Sequence, residues 1–377
     1  MSIQNSKPCI YDLDFPALEE QLAKAGQPAY RARQVWSSLY QGLSADPAGM
    51  TDLPGSLRSA LQEQYVFEPF RLHTQVSSRD RRTRKFLFLL PDDAPVETVV
   101  MSYDRRETGC ISMQSGCAIG CLFCATGQMA LRRSLTAGEI TAQVLYLARM
   151  LRAEGKALTN VVFMGMGEPF LNYEATMAAV DRIIQPEGFG FGARRVTIST
   201  VGIIPGIQRF AREQRQVNLA ISLHAADDEL RNRLVPVNRK YPLTDLFAAC
   251  DEYIRLTNRR LSLEWALIEG VNDGAAQAHH LAARIRKQLA KPLVHVNLIP
   301  LNPTRKYGNA PSTRERIAAF QALLEEEQIA CTVRLPRGVA IGAGCGQLAG
   351  EWEKIEGKDA AGLVDARGDS GLVSGRQ

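Results

Sequence analysis

The sequence predicts an α/β protein whose main part is a partial (β/α)6 barrel, preceded by a small helical accessory domain. From Glu97 onward, short runs rich in β-branched residues alternate with amphipathic stretches of helical length. This alternation is typical of parallel strands joined by helices. Six consecutive repeats of strand and helix favour a partial barrel over an open wound sheet.

The first 90 residues have a mostly helical pattern. Apolar residues recur at three- and four-residue spacing from Phe15 to Ala25 and from Ala29 to Gln41, which predicts two helices. A third short helix is expected from Leu57 to Gln64, and the run from Phe86 to Leu90 predicts a strand. We therefore expect an accessory domain over residues 1–90.

Residues 91–349 are expected to form the barrel. Its six strands are predicted at Cys110–Met113, Asn160–Met164, Arg195–Ser199, Val217–Leu223, Leu261–Leu267 and Val294–Ile299. Two of the following helices begin with capping boxes, Thr136 with Glu139 and Ser312 with Glu315. Residues 350–377 are rich in Gly, Asp and Ser and have little to bury, so a disordered tail is expected there.

The composition is ordinary for a water-soluble protein. The 377 residues include 45% hydrophobic and 23% charged residues, and 45 Lys+Arg against 40 Asp+Glu give a net charge of +5. No apolar run approaches the roughly 18 residues of a membrane helix, and the first residues lack the apolar run of a signal peptide. We expect a cytoplasmic protein without a membrane segment. The basic run from Arg79 to Lys85 could hold nucleic-acid phosphates, or it could be a solvated surface.

The eight cysteines are clustered rather than evenly spread. Cys110, Cys117, Cys121 and Cys124 fall close together, and Cys345 lies in a glycine-rich run. In a reducing compartment such a cluster favours metal or redox chemistry over a structural disulfide. Three thiolates in the C-x3-C-x2-C spacing can hold three irons of a four-iron cluster and leave the fourth open. A zinc site that takes Cys110 or a histidine as fourth ligand is the alternative.

Glycine and polar residues follow directly on the predicted strands. Because the carboxyl ends of barrel strands meet at one mouth, we expect these residues to share one pocket with the cysteine cluster. The segments are Gly165–Pro169, Ser199–Thr200, Ser222–His224 and the residue Asn302.

These motifs together resemble the radical-SAM superfamily and, within it, the RNA adenosine methyltransferases of the RlmN and Cfr families. The resemblance covers roughly Asp14 to Gly350. It is carried by Cys110-Ile111-Ser112-Met113-Gln114-Ser115-Gly116-Cys117, Cys124-Ala125-Thr126-Gly127, Gly165-Met166-Gly167-Glu168-Pro169, Ser222-Leu223-His224-Ala225, Val271-Asn272-Asp273, Asn297-Leu298-Ile299-Pro300 and Cys345-Gly346-Gln347-Leu348. One departure is Ala340, where the family usually has an acid.

The resemblance implies a [4Fe–4S] cluster on Cys117, Cys121 and Cys124, and two molecules of S-adenosylmethionine per turnover. By the same resemblance, Glu168 would complement the ammonium group of S-adenosylmethionine, and the missing side chain at Gly167 would allow its close approach. The full set of expected S-adenosylmethionine contacts is Gly167, Glu168, Ser199, Ser222, Leu223, His224 and Asn302.

The resemblance also implies a reaction path. Cys345, in a C-terminal catalytic loop, would accept a methyl group from one S-adenosylmethionine, and a radical from the second would remove hydrogen from that methyl. The methylene radical would add to the adenine ring. Cys110 would then attack the Cys345 sulfur, release the product and leave a disulfide for an external reductant. Glu97 matches the family's proton acceptor, although a bare strand residue of this kind more often faces solvent.

The implied activity is methylation of carbon 2 of a specific adenosine in 23S rRNA, with an adenosine near the anticodon of some tRNAs as a further substrate. The implied enzyme is a monomer that takes electrons from a donor such as flavodoxin or ferredoxin. Two alternatives stay open. One is Cfr-like methylation of carbon 8, and the other is a non-catalytic RNA-binding protein with a zinc knuckle.

Overall fold

The computed structural model describes residues 7–304, 307–334 and 346–352. Two positions singled out in the sequence, Ala340 and Cys345, lie outside the described residues, as does the predicted tail from residue 353 onward. The first three residues of that tail, 350–352, are helical, and Trp352 is buried. None of the described helices is both long enough and apolar enough to cross a bilayer.

Within the described residues, the N-terminal part contains three α-helices, which confirms the helical prediction to within a few residues. They are α1 (Phe15–Lys24), α2 (Tyr30–Tyr40) and α3 (Gly55–Gln64). Their apolar faces pack around Trp36 and Tyr40 in a core that is separate from the main core of the protein. Leu145, from later in the chain, also packs in this core.

The described residues after this part form two β-sheets. Their strands, in chain order, are β1 (Arg71–Ser77), β2 (Thr83–Leu89), β3 (Pro95–Tyr103), β4 (Arg106–Cys110), β5 (Gln114–Ser115), β6 (Arg133–Ser134), β7 (Asn160–Phe163), β8 (Val196–Thr200), β9 (Asn218–Ser222), β10 (Leu261–Leu267), β11 (Val294–Pro300) and β12 (Ala330–Val333). In the part of the chain that the structure describes, the larger sheet has ten strands in the order β1-β2-β3-β4-β7-β8-β9-β10-β11-β12. From β4 to β12 all neighbours are parallel, whereas β1 to β4 form an antiparallel extension.

Helices connect the parallel strands and cover the outer face of the sheet. They are α4 (Ala137–Ala153), α5 (Tyr173–Ile184), α6 (Ile204–Arg212), α7 (Asp228–Leu234), α8 (Leu243–Thr257), α9 (Ala275–Gln288) and α10 (Arg314–Glu326). This alternation confirms the predicted α/β barrel class. The sheet continues across residue 90, and the division of the chain into domains at that residue stays a prediction.

The first predicted barrel strand was misplaced. The strand is β4, which ends at Cys110, and the backbone after it makes one more ladder bond, from Ile111 N–H to the Val162 carbonyl. Met113 N–H then donates to the Met166 carbonyl, so this segment packs against the loop after β7 instead of continuing β4. The sequence pattern also missed β1, β3, β12 and the two short strands β5 and β6.

The two predicted capping boxes have different outcomes. At α4, the Thr136 hydroxyl accepts from Glu139 N–H and the Glu139 carboxylate accepts from Thr136 N–H, so that box is present. At α10 the cap is Thr313 and not Ser312. The Ser312 hydroxyl donates to the Asp273 carboxylate at 2.7 Å. The hydroxyl that the sequence pattern predicted as the cap of α10 is therefore bonded to an acid distant in sequence.

The basic run from Arg79 to Lys85 is divided by the structure. Arg79, Arg81 and Arg82 are exposed around the turn between β1 and β2, whereas the Arg84 guanidinium pairs with Glu154. Lys85 is buried. It is therefore no part of a solvated or RNA-contacting surface, which corrects its place in the predicted basic run.

The N-terminal part is held against the barrel through Asp12. Its Oδ1 accepts the Gly138 N–H at 2.7 Å, at the first turn of α4, and its carbonyl accepts from Arg182 Nη2 at 2.8 Å. A carboxylate at a helix N-terminus is stabilised by the unpaired N–H groups there. Asp12 is thus a specific link between the two cores.

Replacing Asp12 with Ala should weaken this link, because Gly138 N–H loses an ionised acceptor, at a cost of about 1–2 kcal/mol. We expect faster proteolysis within residues 10–67 and a lower midpoint of thermal unfolding. Glu20→Ala is the control, since its pair with Lys24 is more than half exposed and such pairs contribute little. Equal behaviour of the two variants would contradict the docking role of Asp12.

Candidate active site

The carboxyl ends of the parallel strands lie at one edge of the barrel, as their common direction requires. The cysteine cluster and the other described residues selected from the sequence lie at the ends of β8 and β9 or in the segments that follow β4, β7, β9 and β11. The structure therefore brings the predicted site segments to one mouth.

The cysteine loop is closed at its base. It runs between β5 and β6, which pair as a small antiparallel ribbon. Gly116 enters the loop with φ +78°, and a Cβ added there would overlap the Ala130 carbonyl oxygen. A Cβ added at Gly127 would lie 2.8 Å from both the backbone nitrogen and the carbonyl oxygen of Cys121. The loop is therefore folded tightly on itself, and its glycines are required by close backbone contacts.

The three thiols lie in a poorly solvated place. Burial raises the pKa of Cys117 to about 12, with a further contribution from Cys124. Burial, followed by repulsion from Cys124 and Cys117, raises the pKa of Cys121 well above its ordinary value. For Cys124, burial outweighs the backbone hydrogen bonds from Gly127 and Thr126 and raises the pKa of the thiol. Three thiolates here need a compensating cation.

A four-iron cluster distributes its cysteines over different irons, whereas a structural zinc draws all four ligands to one point. The donor set of three thiols suits the former arrangement.

The Gly165–Pro169 segment after β7 packs tightly on the segment after β4. A Cβ added at Gly165 would lie 2.6 Å from the Ile111 carbonyl oxygen, and one at Gly167 would overlap the Gln114 side chain. Gly167 has φ +93°. Gln114 therefore occupies the space that a side chain at Gly167 would need. Packing against Gln114 requires the glycine, whereas the sequence analysis expected the close approach of S-adenosylmethionine to require it.

Glu168 is buried and joins two strand ends. Its Oε1 accepts from Phe170 N–H at 3.0 Å and its Oε2 accepts from Val201 N–H at 2.8 Å, beyond β8. Burial raises the pKa of this carboxyl to about 7, against the effect of its hydrogen bonds, the largest of which is with the Thr200 side chain. Glu168 therefore fixes the loop after β7 to the loop after β8.

Ser199 and Ser222 face each other across β8 and β9, with their hydroxyl oxygens 3.2 Å apart. Leu223 follows on β9 and is fully buried, and its N–H donates to the Glu264 carbonyl. Successive side chains of a strand point to opposite faces of the sheet. Ile198 and Ile221 pack in the apolar core, so the neighbouring Ser199 and Ser222 lie on the opposite, inner face of the barrel.

His224 connects this strand end to the cysteine loop. It has φ +61°, and its Nδ1 accepts the Ala266 N–H at 3.0 Å. Burial, with a contribution from Arg231, lowers the pKa of His224 to about 3, so the ring is neutral and its proton is on Nε2. The His224 ring packs edge-on against the ring of Phe123, with centroids 4.8 Å apart. Phe123 lies between Cys121 and Cys124 in the sequence.

Asn302 lies just beyond β11 at the same mouth. Its Oδ1 is buried and has no donor among the described residues. An unpaired buried acceptor is costly, and a donor group of a bound ligand would satisfy it. Asn302 therefore remains a good candidate for a ligand contact.

Arg231, on α7, is a residue that the sequence analysis missed. It is fully buried, its Nε donates to the Leu223 carbonyl at 3.0 Å, and its Nη2 donates to the Val201 carbonyl at 2.7 Å. Burial lowers the pKa of Arg231 to about 10, and the nearby Cys121 opposes that change. This buried cation holds two strand ends together beside the cysteine loop. No local motif marks it.

Cys110, Lys85 and Glu97 lie together on one face of the sheet. Lys85 pairs with Val99 across β2 and β3, and Val99 pairs with Cys110 across β3 and β4. Glu97 is two residues from Val99 on the same strand, hence on the same face. Burial raises the pKa of the Cys110 thiol to about 12. None of the described cysteines forms a disulfide.

Glu97 is buried rather than exposed to solvent. Its carboxylate pairs with Lys85 at 2.9 Å and accepts hydrogen bonds from Gly346 N–H at 2.7 Å and Ala349 N–H at 2.9 Å. The residue directly after Cys345 in the sequence is thereby held near Cys110. Lys85 is the second residue at this mouth that sequence analysis did not assign to the site.

Comparison with known proteins agrees with this arrangement. The radical SAM superfamily model matches residues 111–282, and the model of the ribosomal RNA large subunit methyltransferase N-terminal domain matches residues 10–67. A Chloroflexus aurantiacus protein named probable dual-specificity RNA methyltransferase RlmN is 50% identical over 349 residues, covering 91% of this chain and 93% of its own. The chain belongs to the RlmN family of radical SAM RNA methyltransferases.

Other relatives of this RlmN-family chain agree. Dual-specificity RNA methyltransferase RlmN 1 of Myxococcus xanthus is 46% identical over 92% of this chain and 95% of its own. The crystal structure of a radical SAM methyltransferase from Sphaerobacter thermophilus has a TM-score of 0.87 and 50% identity, and the match covers 90% of this chain and 98% of that chain.

Membership in the RlmN family implies a [4Fe–4S] cluster and S-adenosylmethionine. The residues present fit both groups. Three partly buried thiols without a fourth cysteine in their loop suit a cluster with one open iron, and the orphaned Asn302 oxygen suits a ligand at the same mouth. The role of each individual residue stays a prediction.

Two glycines of the cysteine loop give a matched test of its geometry. Gly116→Ala should abolish most iron binding, because the new Cβ overlaps the Ala130 backbone. Gly120→Ala introduces Cβ at a similar φ of +72° but meets nothing within 4 Å, so it should cost only about 1 kcal/mol and keep the iron. Iron and acid-labile sulfide per chain, after anaerobic reconstitution, measure the difference. Similar loss in both variants would show that the tight turn at Gly116 is not what holds the loop.

Proposed function

We propose that this protein methylates carbon 2 of a specific adenosine in 23S rRNA and, as a further substrate, an adenosine near the anticodon of some tRNAs. The observation that carries the proposal is that two features lie at the same mouth of the barrel. One is the loop with three cysteines. The other is Cys110 at the end of β4, close to Gly346, the residue that follows Cys345. The relatives named dual-specificity RNA methyltransferases support the choice of RNA.

Cys117, Cys121 and Cys124 would hold the cluster, and Glu168, His224 and Asn302 would border the S-adenosylmethionine. When bound, these groups supply a radical from the sulfonium and a transferable methyl group, with two S-adenosylmethionine molecules used per turnover. Glu168 and Arg231 keep the strand ends fixed around the ligand. His224, neutral with its proton on Nε2, can donate one hydrogen bond there.

Two further thiols answer a chemical requirement of the substrate. Carbon 2 of adenine has no nucleophilic lone pair, so it cannot take a methyl group by direct displacement. Cys345 would carry the methyl group instead, as a thioether formed by its thiolate. After the one-carbon unit is joined to the ring, the Cys110 thiolate would attack the Cys345 sulfur and form a transient disulfide. The electron pair of the broken carbon–sulfur bond would stay with the one-carbon unit, which takes up a proton to become the methyl group. An external reductant would reopen it.

The exposed arginines Arg79, Arg81 and Arg82 are candidates for contact with RNA phosphates. Such contacts weaken steeply as salt rises, because added salt reduces the gain from releasing bound counterions. We place the reaction in the cytoplasm, with a monomeric enzyme and an electron donor of the flavodoxin or ferredoxin type.

The direct experiment is incubation of the reconstituted protein with methyl-labelled S-adenosylmethionine, reductant and rRNA, followed by nucleoside mass spectrometry. The expected product is 2-methyladenosine. If the product is 8-methyladenosine, the methylated position is carbon 8 and not carbon 2, as in the Cfr family. About one zinc per chain with neither iron nor sulfide would instead favour the RNA-binding zinc-knuckle alternative.

Replacing Cys110 with Ala should leave the RNA covalently attached to Cys345, because no thiolate is present to break the thioether. We expect a protein–RNA adduct on denaturing gels and loss of nearly all turnover. Cys250→Ala is a control, since Cys250 is buried on α8 among core residues. Release of methylated RNA by the Cys110→Ala protein would exclude Cys110 as the resolving thiol.

Replacing Cys345 with Ala should remove the methyl group from the protein while the cluster stays intact, since the three cluster thiols are elsewhere in the chain. Mass spectrometry of peptides after incubation with labelled S-adenosylmethionine measures this. A protein that still carries a labelled methyl group after the replacement would show that another residue is the carrier.

A further inference from the structure

A buried ion pair lies close to the reacting thiols without being part of the proposed chemistry. The Lys85 and Glu97 side chains are 0% and 1% exposed, and Nζ lies 2.9 Å from Oε2. A buried pair is weak evidence for stability, because the loss of hydration offsets most of the attraction. Its position in the molecule is therefore more informative than its energy.

Glu97 uses both carboxylate oxygens to hold a segment distant in sequence. Oε2 accepts from Gly346 N–H and Oε1 accepts from Ala349 N–H. The chain is helical from residue 347 to residue 352, so these N–H groups belong to a helix start, which has no internal acceptors for them. A carboxylate at this point is also favoured by the helix dipole.

The same segment packs on the cysteine loop. Gly346 has φ +83°, and a Cβ added there would overlap Thr126, two residues after Cys124. Further along, Trp352 packs with Met129 of that loop in one apolar cluster. The segment is thus held on one side by β3 and on the other by the loop that carries the cluster thiols.

We propose that the Lys85–Glu97 ion pair is a positioning device, which anchors the chain directly after Cys345 and so sets the place of the methyl-carrying thiol. The inference rests on the proposed function of Cys345. It adds a positioning role for Glu97 to the proton-accepting role that the family resemblance implies. Lys85 neutralises the carboxylate and leaves its oxygens directed at the Gly346 and Ala349 amides.

The chemistry explains why an anchor is required. Two cysteines can form a disulfide only when their Cα atoms come within about 7 Å. Cys110 is fixed at the end of β4, opposite Val99 and close to Glu97. An anchor on β3 that holds Gly346 therefore keeps the backbone next to Cys345 on the face of the sheet that carries Cys110, which is what the resolving step needs.

The test uses paired substitutions, since removing one partner would leave a buried charge and could prevent folding. Lys85→Met with Glu97→Gln removes both charges and keeps one acceptor oxygen. Lys85→Met with Glu97→Met removes the acceptors as well. The control is Lys156→Met with Glu107→Gln. This second Lys–Glu pair has Nζ 3.4 Å from Oε1, its Lys156 is half exposed, and Glu107 lies on the adjacent strand β4.

The first readout is hydrogen–deuterium exchange of residues 346–352 in the reconstituted protein. We expect exchange to become about 10- to 100-fold faster in the pair that includes Glu97→Met, as the loss of hydrogen bonds to an ionised acceptor implies. The pair that includes Glu97→Gln should show a smaller increase. The second readout is the methyl group on Cys345, measured by peptide mass. It should fall in the same order while iron and sulfide per chain stay at the control level.

Unchanged exchange at residues 346–352, or unchanged loading of Cys345, would overturn the positioning role. Normal loading in the protein with Glu97→Gln, together with an accumulating RNA adduct, would also overturn it and would favour Glu97 as a proton acceptor. Absence of a methyl group on Cys345 in the unaltered protein would refute the proposed function itself, and the inference with it. The failures of the two proposals are therefore distinguishable.

Discussion

The site depends on one constraint, which is the need to hold three cysteine thiols together where water cannot stabilise their charge. Burial raises the pKa of all three thiols, and repulsion from neighbouring cysteines raises it further for Cys117 and Cys121. A flexible loop would open and expose the thiols to water. The β5–β6 ribbon and the glycine contacts at Gly116 and Gly127 prevent this. The loop is therefore prepared for a positively charged metal group before any such group binds.

The barrel supports this loop with a small number of long-range links. Glu168 joins the ends of β7 and β8, Arg231 joins the ends of β8 and β9, and His224 connects β9 and β10 to the loop itself. Each link is buried and uses backbone amides or carbonyls. Such links are worth more in a dry site than in water, so the mouth keeps its shape while RNA and cofactor enter and leave.

The sequence predicted what local periodicity and local spacing determine. The strand from Leu261 to Leu267 and the Thr136 capping box were correct, because the patterns that mark them lie within a few residues. The predicted cap at Ser312 was wrong, since Asp273 takes its hydroxyl. Lys85 was grouped with surface arginines, although its partner Glu97 lies on the next strand. Partners of this kind are set by strand register, which no short window of sequence contains.

The account is tested most directly by reducing the reconstituted protein anaerobically with S-adenosylmethionine and measuring 5′-deoxyadenosine, beside iron and acid-labile sulfide. We predict about four irons and four sulfides per chain and 5′-deoxyadenosine that disappears when Cys121 is replaced with Ala. A colourless protein without sulfide, or 5′-deoxyadenosine formation that survives the loss of Cys121, would contradict the central claim that these three thiols hold a radical-generating cluster.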